Sequence, residues 1–304
     1  MNNPTDLRFD GKVAIITGAG NGLGKSHAKV LAKLGASILV NDLGTDKRGE
    51  GSDSAIAEEV ASEIRELGGD AIANNESVLD GQRIVEHAMD CFGAIDIVVN
   101  NAGILRDKSF HKLSAQDWEK TIDTHLNGAF KVSHAAWPHL REQNFGRIIF
   151  TTSMAAMYGN FGQANYSAAK SGIYGLTKTL AIEGMNKNIG VNAIAPIAGS
   201  RMTEGLMPPE LLSQLTPDYV SPMVAYLCHE SCKETGSLFE AGAGWYSQVR
   251  LQRSNGFGMP SNAPITINDI ANHWDQITDF DAATYPDNSV DAITKALANL
   301  NNKD

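Results

Sequence analysis

Short β-branched and apolar runs alternate with longer helical patterns along most of the chain. The runs are Val13–Thr17, Ser37–Asn41, Ala71–Asn74, Ile95–Asn100, Arg147–Thr152, Val191–Ala195 and Leu238–Ala241. Between the early ones lie Gly22–Leu34, Ser54–Leu67 and Gly81–Phe92, each with helical spacing. A strand that is apolar on both faces must be covered on both faces, and a helix between strands makes neighbouring strands parallel. Right-handed crossovers then give a doubly wound, Rossmann-type α/β sheet. The 304 residues suffice for a sizeable core, and 42% hydrophobic with 20% charged residues is a globular balance.

The alternation stops near Trp245. Beyond it, Ile267, Ile270, Trp274, Ile277 and Phe280 predict one helix over Thr266–Phe280, with Thr266 as N-cap and Asp269 close to a capping box. Val290, Ile293, Leu297 and Leu300 repeat the pattern over Asp287–Leu300. Amphipathic faces of this kind have to pack on something. The division expected is a catalytic domain over 1–244 and a C-terminal extension over 245–304, packed on that domain or on a partner subunit. Within the domain, Thr45–Asp53 is polar and glycine-rich and reads as a mobile loop.

Asp plus Glu number 35 against 25 Lys plus Arg, a net charge of −10, which argues against nucleic acid as a partner. No apolar run approaches the roughly 18 residues of a membrane span. Three cysteines make no disulfide framework and suit a reducing compartment. The first ten residues are polar, and Asn302-Lys303-Asp304 is not a peroxisomal tripeptide. The expectation is a cytoplasmic protein that does not enter membranes.

The chemistry begins at Thr17-Gly18-Ala19-Gly20-Asn21-Gly22-Leu23-Gly24, between the first strand and its helix. A chain that turns sharply and lets a pyrophosphate approach its backbone needs glycine, and the helix N-terminus offers free N–H groups to the anion. A plain tight turn is the competing reading, and the strand-before, helix-after context disfavours it. Asp42 ends the second strand, 18 residues after Gly24. A carboxylate there accepts from the adenosine ribose hydroxyls and repels a 2′-phosphate, which favours NAD over NADP. Lys47 and Arg48 follow and either serve a 2′-phosphate or, the simpler reading, are solvated loop charges. Asn100-Asn101-Ala102-Gly103 closes the fourth strand at the carboxyl edge of the sheet, where ligands of open α/β folds bind.

Ser153 follows the fifth strand, and Tyr166 and Lys170 lie four apart on one helix face. An ammonium beside a phenol lowers its pKa, so that the phenolate can take an alcohol proton, and Ser153 can hydrogen-bond the same oxygen. A lone Tyr-x3-Lys pair is common helix surface; its conjunction with the turn, Asp42 and Ser153 is far more specific.

These motifs, with Asn192-Ala193-Ile194-Ala195-Pro196, resemble the short-chain dehydrogenase/reductase family. The resemblance implies Ser153 as substrate stabiliser, Tyr166 as acid/base, and Lys170 as phenolate stabiliser and nicotinamide-ribose anchor. It implies cofactor contacts at Gly18, Asn21, Gly22, Leu23, Gly24, Asp42, Ser77, Val78, Asn101, Ala102, Gly103, Tyr166, Lys170 and Pro196, and no metal. Longer segments such as Tyr158–Tyr166 and Phe239–Trp245 resemble a narrower branch, the (3R)-hydroxyacyl-CoA dehydrogenase portion of the type 2 multifunctional enzymes. That resemblance implies NAD-dependent oxidation of a (3R)-3-hydroxyacyl-CoA, and a homodimer whose extension helps cover the active-site region. The rivals are an NADPH-dependent 3-oxoacyl-thioester reductase, a steroid-type secondary-alcohol dehydrogenase, and a nucleotide-sensing scaffold without chemistry.

Four features stay open between two readings. His125 stands where the family usually has asparagine, and is either part of the proton path or a packed residue. Arg106, Lys108, His111 and Lys112 either meet the phosphates of coenzyme A or are solvated loop charges. Arg201, Met202, Leu206 and Met207 belong to a substrate loop or to the core. Cys228-His229-Glu230-Ser231-Cys232 reads as packed thiols, because structural zinc wants four ligands.

Overall fold

The computed structural model describes residues 7–199, 208, 210, 214–260, 262 and 264–301. It divides into two compact units, Met1–Gln248 and Val249–Asp304. Eight strands form one sheet: β1 (Val13–Thr17), β2 (Ser37–Asn41), β3 (Asp70–Asn74), β4 (Ile97–Asn100), β5 (Gly146–Thr151), β6 (Ile189–Ile197), β7 (Leu238–Gly242) and β8 (Trp245–Val249). Their order is β3-β2-β1-β4-β5-β6-β7-β8. The pairs from β3 through β7 are all parallel. β8 returns through Ala243-Gly244, at φ +52° and +76°, a two-residue reversal that makes it antiparallel to β7. Strand order reverses between β1 and β4, and a binding crevice opens at that switch point.

The two-sided apolar strands are explained by two cores. Ala14 and Ile16 point to one face, with Ile38 and Val40, and pack against Leu31 of α1 (Gly22–Lys33), Val60 and Ile64 of α2 (Ala55–Glu66), and Val224 of the helix Ser221–Cys228. Ile15 points to the other, with Leu39, Val98 and Phe150. There it meets Ile84 of α3 (Gly81–Phe92), Val132 of α5 (Gly128–Gln143) and Ile173 of α7 (Ala164–Gly184). Between α4 (Ala115–Ile122) and α5, Asp123–Asn127 widens into a π turn. A five-residue α6 (Met154–Tyr158) follows β5.

The second unit departs from its sequence pattern. The expected single helix is two short ones, Ile267–Asn272 and Trp274–Ile277, interrupted at His273. The His273 ring approaches the Asp269 carbonyl (Nδ1···O 2.8 Å), the same acceptor that its backbone N–H uses, and stacks on Phe257. The Thr266/Asp269 capping box forms as expected. Ser289–Asn299 is helical, but Val290, Ile293 and Leu297 face outward, with Val290 75% exposed. No helix among the described residues is long and apolar enough to cross a membrane.

Candidate active site

The β1–α1 turn is bolted to the end of β4. Thr17 Oγ1 accepts from the backbone N–H groups of Asn101 and Ala102, both at 3.1 Å. The Asn101 amide donates to the Thr17 and Gly18 carbonyls, also at 3.1 Å. Side chains are excluded from this junction. A Cβ on Gly18 would stand 2.7 Å from Ala102 Cα, and one on Gly24 would stand 2.2 Å from the Gly18 carbonyl oxygen. Gly18 also has φ +63°, which L-residues rarely adopt. The turn therefore presents bare backbone and the first N–H groups of α1 to the crevice, a cradle suited to a pyrophosphate.

Asp42 sits across from it. Its Oδ2 accepts from Gly20 N and its Oδ1 from Gly44 N, each at 2.8 Å. The carboxylate is thus fixed, and each oxygen keeps a lone pair for a ribose hydroxyl. Asp42, Gly18, Asn21, Gly22, Leu23, Ser77, Val78, Asn101, Ala102 and Gly103 line one cavity of about 290 Å³. Gly24 backs the turn from behind. Pro196 lies on β6, paired with Ala241, and does not line that cavity. Sequence reasoning did not assign Leu43, Thr45, Asp46, Gly49, Glu76, Ile104 and Thr124, which also line it.

Ser153 lies two residues beyond β5 and caps α6, its hydroxyl accepting from Ala155 N at 3.2 Å. Its hydroxyl faces Tyr166 closely enough to favour the phenolate. Tyr166 and Lys170 lie one turn apart on α7, with the Lys170 ammonium nitrogen 5.6 Å from the Tyr166 ring centre. Lys170 is 3% exposed and donates to the Thr151 carbonyl at 2.6 Å. The expected lowering of the phenol is reversed in the unliganded chain. Burial holds Tyr166 above its ordinary 10.0, outweighing the Ser153 hydroxyl, and the Asp107 charge adds to the rise. Burial likewise brings Lys170 down from 10.5 to about 7. Desolvation disfavours both charged forms: Tyr166 rests as the neutral phenol, and Lys170 divides between ammonium and amine near neutral pH.

His125 occupies the π turn beside them. Its ring stands edge-on to Tyr166, 5.1 Å between centres, and fills the space that a Cβ on Gly103 would need. Burial, reinforced by the Lys170 charge, holds it well below 6.5, so the ring is neutral. Its Nε2 lies 2.8 Å from the Ile104 carbonyl oxygen and 3.1 Å from the Ile104 backbone nitrogen, and pairs with one or the other according to the ring's tautomer. His125 Nδ1, Asn100 Oδ1 and Thr151 Oγ1 are buried without a protein partner among the described residues. Their residues, with Lys170, border a cavity of about 10 Å³. His125 is a packed residue, and its packing places it beside Tyr166.

Arg106 does not belong to a phosphate-binding rim. It is 5% exposed, and its guanidinium donates to the Arg48 carbonyl at 2.9 Å, to Asp117 at 2.7 Å and to Glu50. Three of its five N–H donors go to protein acceptors, and two of those acceptors are carboxylates that neutralise its charge. The nine-residue segment that reads as a mobile loop is the one it ties down. Lys108, His111 and Lys112 are exposed. Arg201, Met202, Leu206 and Met207 lie outside the described residues. Cys228 and Cys232 are buried, and burial pushes the Cys228 thiol up. No group of three or more candidate metal ligands occurs among the described residues. Asp107, unremarked in the sequence, accepts from Gln163 at 2.7 Å beside the catalytic helix, and burial raises its carboxyl.

Comparison with known proteins follows the same lines. The short chain dehydrogenase family profile matches residues 12–207. Peroxisomal multifunctional enzyme A of Dictyostelium discoideum is 53% identical over 297 residues, covering 98% of this chain and 67% of that protein. The structure of full-length peroxisomal multifunctional enzyme type 2 from Drosophila melanogaster superposes with TM-score 0.82 at 41% identity, over 96% of this chain and 49% of that one. A 7α-hydroxysteroid dehydrogenase, solved with NADH and 7-oxoglycochenodeoxycholic acid, superposes with TM-score 0.72 at 29% identity, over 80% of this chain and 98% of that one. The chain spans 31% to 67% of the length of the multifunctional relatives it matches.

Proposed function

This chain belongs to the short-chain dehydrogenase family of oxidoreductases, with the nicotinamide-cofactor fold that the family implies, and on that premise we propose that it oxidises (3R)-3-hydroxyacyl-CoA to 3-oxoacyl-CoA with NAD. The observation that carries the reading is the fixed carboxylate of Asp42 at one end of the crevice and Ser153, Tyr166 and Lys170 at the other. Half-identity to multifunctional enzymes along nearly the whole chain supports the acyl-CoA substrate class.

The glycine cradle fits a dinucleotide: bare backbone faces the crevice, and side chains would clash there. Gly18, Asn21, Gly22, Leu23 and the first N–H groups of α1 hold the pyrophosphate, Asp42 the adenosine ribose, and Ser77 and Val78 the adenine. Asn101–Gly103, Lys170 and Pro196 flank the nicotinamide half. When bound, the cofactor supplies the hydride acceptor for C3. Ser153 Oγ orients the substrate hydroxyl, and Tyr166 Oη takes its proton. Lys170 in its ammonium form stabilises the resulting phenolate.

NADH formation with the (3R) and (3S) isomers of a 3-hydroxyacyl-CoA tests the reading. Turnover of the (3R) isomer alone is expected; turnover of only the (3S) isomer, or of neither, sinks it. Tyr166→Phe is expected to abolish turnover with NAD still bound, and retained turnover would remove the acid/base assignment. Lys47 lines the cofactor cavity beside Asp42 and favours the rival NADPH reading; comparison of NAD and NADP dissociation constants separates the two. The proposal extends to a homodimer, with residues 1–244 catalytic and 245–304 an extension. The outward apolar side chains of Ser289–Asn299 are in keeping with that, and sedimentation tests it. It also extends to a cytoplasmic location. Three unpaired cysteines suit that, the peroxisomal names of the relatives stand against it, and imaging of a tagged chain decides.

A further inference from the structure

We propose that Arg106 is a positioning residue for the adenosine half of the dinucleotide, clamping the loop that walls the ribose end of the cavity. The inference rests on the cofactor reading alone and not on the identity of the substrate.

The loop Thr45–Asp53 has little reason to stay in place by itself. It has no large apolar side chain, and Gly49 and Gly51 hold φ near +78° and +80°. Ordering such glycines carries a large entropic cost. Yet Thr45, Asp46, Lys47 and Gly49 line the same cavity as Asp42. Asp46 shapes the loop from within, its Oδ1 accepting from Arg48 N at 2.8 Å and Glu50 N at 2.9 Å. That makes a preformed turn, but does not attach it to anything.

Attachment comes from the segment after β4. Leu105 N donates to the Lys47 carbonyl at 2.9 Å, and Ile104 packs closely on Gly49. Arg106 then grips the loop at two points, the Arg48 carbonyl and the Glu50 carboxylate, and braces itself on Asp117 of α4. Lys120 of α4 holds Glu50 from the other side at 2.9 Å. A planar fork with several donors is what one side chain needs to join two loop acceptors and a helix. Arg106 itself does not line the cavity, so it acts through the residues that do. Its backbone serves a separate purpose: the Arg106 carbonyl accepts from the Asn165 amide at 3.2 Å, and Asn165 Oδ1 accepts from Tyr166 N at 2.9 Å. Substituting the side chain removes the clamp and leaves that backbone bond to the catalytic helix.

The experiment measures dissociation constants for NAD and for ADP-ribose by calorimetry, with kcat at saturating NAD and urea unfolding, for the full chain and Arg106→Gln. Hydrogen bonds of a charged group are strong enough that a rise of about tenfold or more is expected for both ligands. Meanwhile kcat stays within about twofold of wild type, because the catalytic helix keeps its brace. Arg106→Lys restores part of the affinity. Affinity unchanged within about twofold overturns the proposal, as does a loss of kcat and stability in step with affinity, the mark of a merely structural role. Should Arg106→Gln fail to fold, Glu50→Gln, altered at an exposed side chain, decides: weaker ADP-ribose binding supports the clamp and unchanged binding overturns it. A wild-type chain that binds neither ligand refutes the cofactor reading itself, a result distinct from a variant effect.

Discussion

Replacing Lys170 with methionine removes turnover and, by the same physics, stabilises the unliganded protein. Among the described residues the buried ammonium has one carbonyl as its hydrogen-bond partner and no carboxylate, so folding forces it toward neutrality. Its pKa falls from 10.5 to about 7, and desolvation is the cause. At about 1.4 kcal/mol per pH unit, that gap is a penalty of about 4–5 kcal/mol at neutral pH and below. The folded-state value lies below the unfolded one. Between about pH 7 and 10.5 the unfolded chain therefore binds more protons, and stability rises with pH. From about pH 7 to about pH 9 the wild type is expected to gain about 2 kcal/mol that Lys170→Met does not. Methionine fills much of the same volume without a charge, so the packing cost is small beside this. Urea unfolding of both proteins at several pH values reads the difference directly, since every other titrating group is shared. Parallel stability curves across that window would refute the argument. So would a variant less stable than wild type at neutral pH.

Asp42→Ala is expected to raise the NAD dissociation constant by about tenfold or more and to narrow the preference over NADP, measured by calorimetry. His27 is buried beside Ser221 and brought from 6.5 down to about 3 by desolvation, so it too favours the folded state only when neutral. Relative to His27→Gln, the wild type should lose about 3 kcal/mol as pH falls from about 6.5 to 4, read by denaturant titration. Cys91 is the exposed thiol of the three, and Cys228 and Cys232 are buried. A thiol reagent should label one cysteine per folded chain and all three only after unfolding, and rapid labelling of a second would contradict the packing.

The strands were legible because burial on two faces leaves a continuous apolar signature. β1 and β2 fall on the residues read from the pattern, and β3 through β7 differ by a residue or two at their ends. β8 was missed. Trp245–Val249 is a short edge strand with mostly exposed side chains, and its only announcement was the Ala243-Gly244 reversal before it. The helix over Thr266–Phe280 was read too long, since apolar spacing carries no sign of the His273 ring reaching a backbone carbonyl. At the site, glycine and catalytic positions were readable because chemistry dictates residue type there. His125 and Arg106 were ambiguous, because an isolated histidine or arginine has the same appearance in a loop as in a buried network.

Local sequence determined the doubly wound sheet, the phosphate-binding turn and the Tyr166–Lys170 pair, since each depends on periodicity or on residues a few positions apart. The state of those residues was decided only by tertiary structure. Burial raises Tyr166 and lowers Lys170, contrary to what their spacing alone suggests. Arg106 is buried and paired with Glu50 and Asp117, which lie 56 and 11 residues away in sequence. Desolvation and long-range pairing are properties of what folding brings together, and no window of sequence contains them.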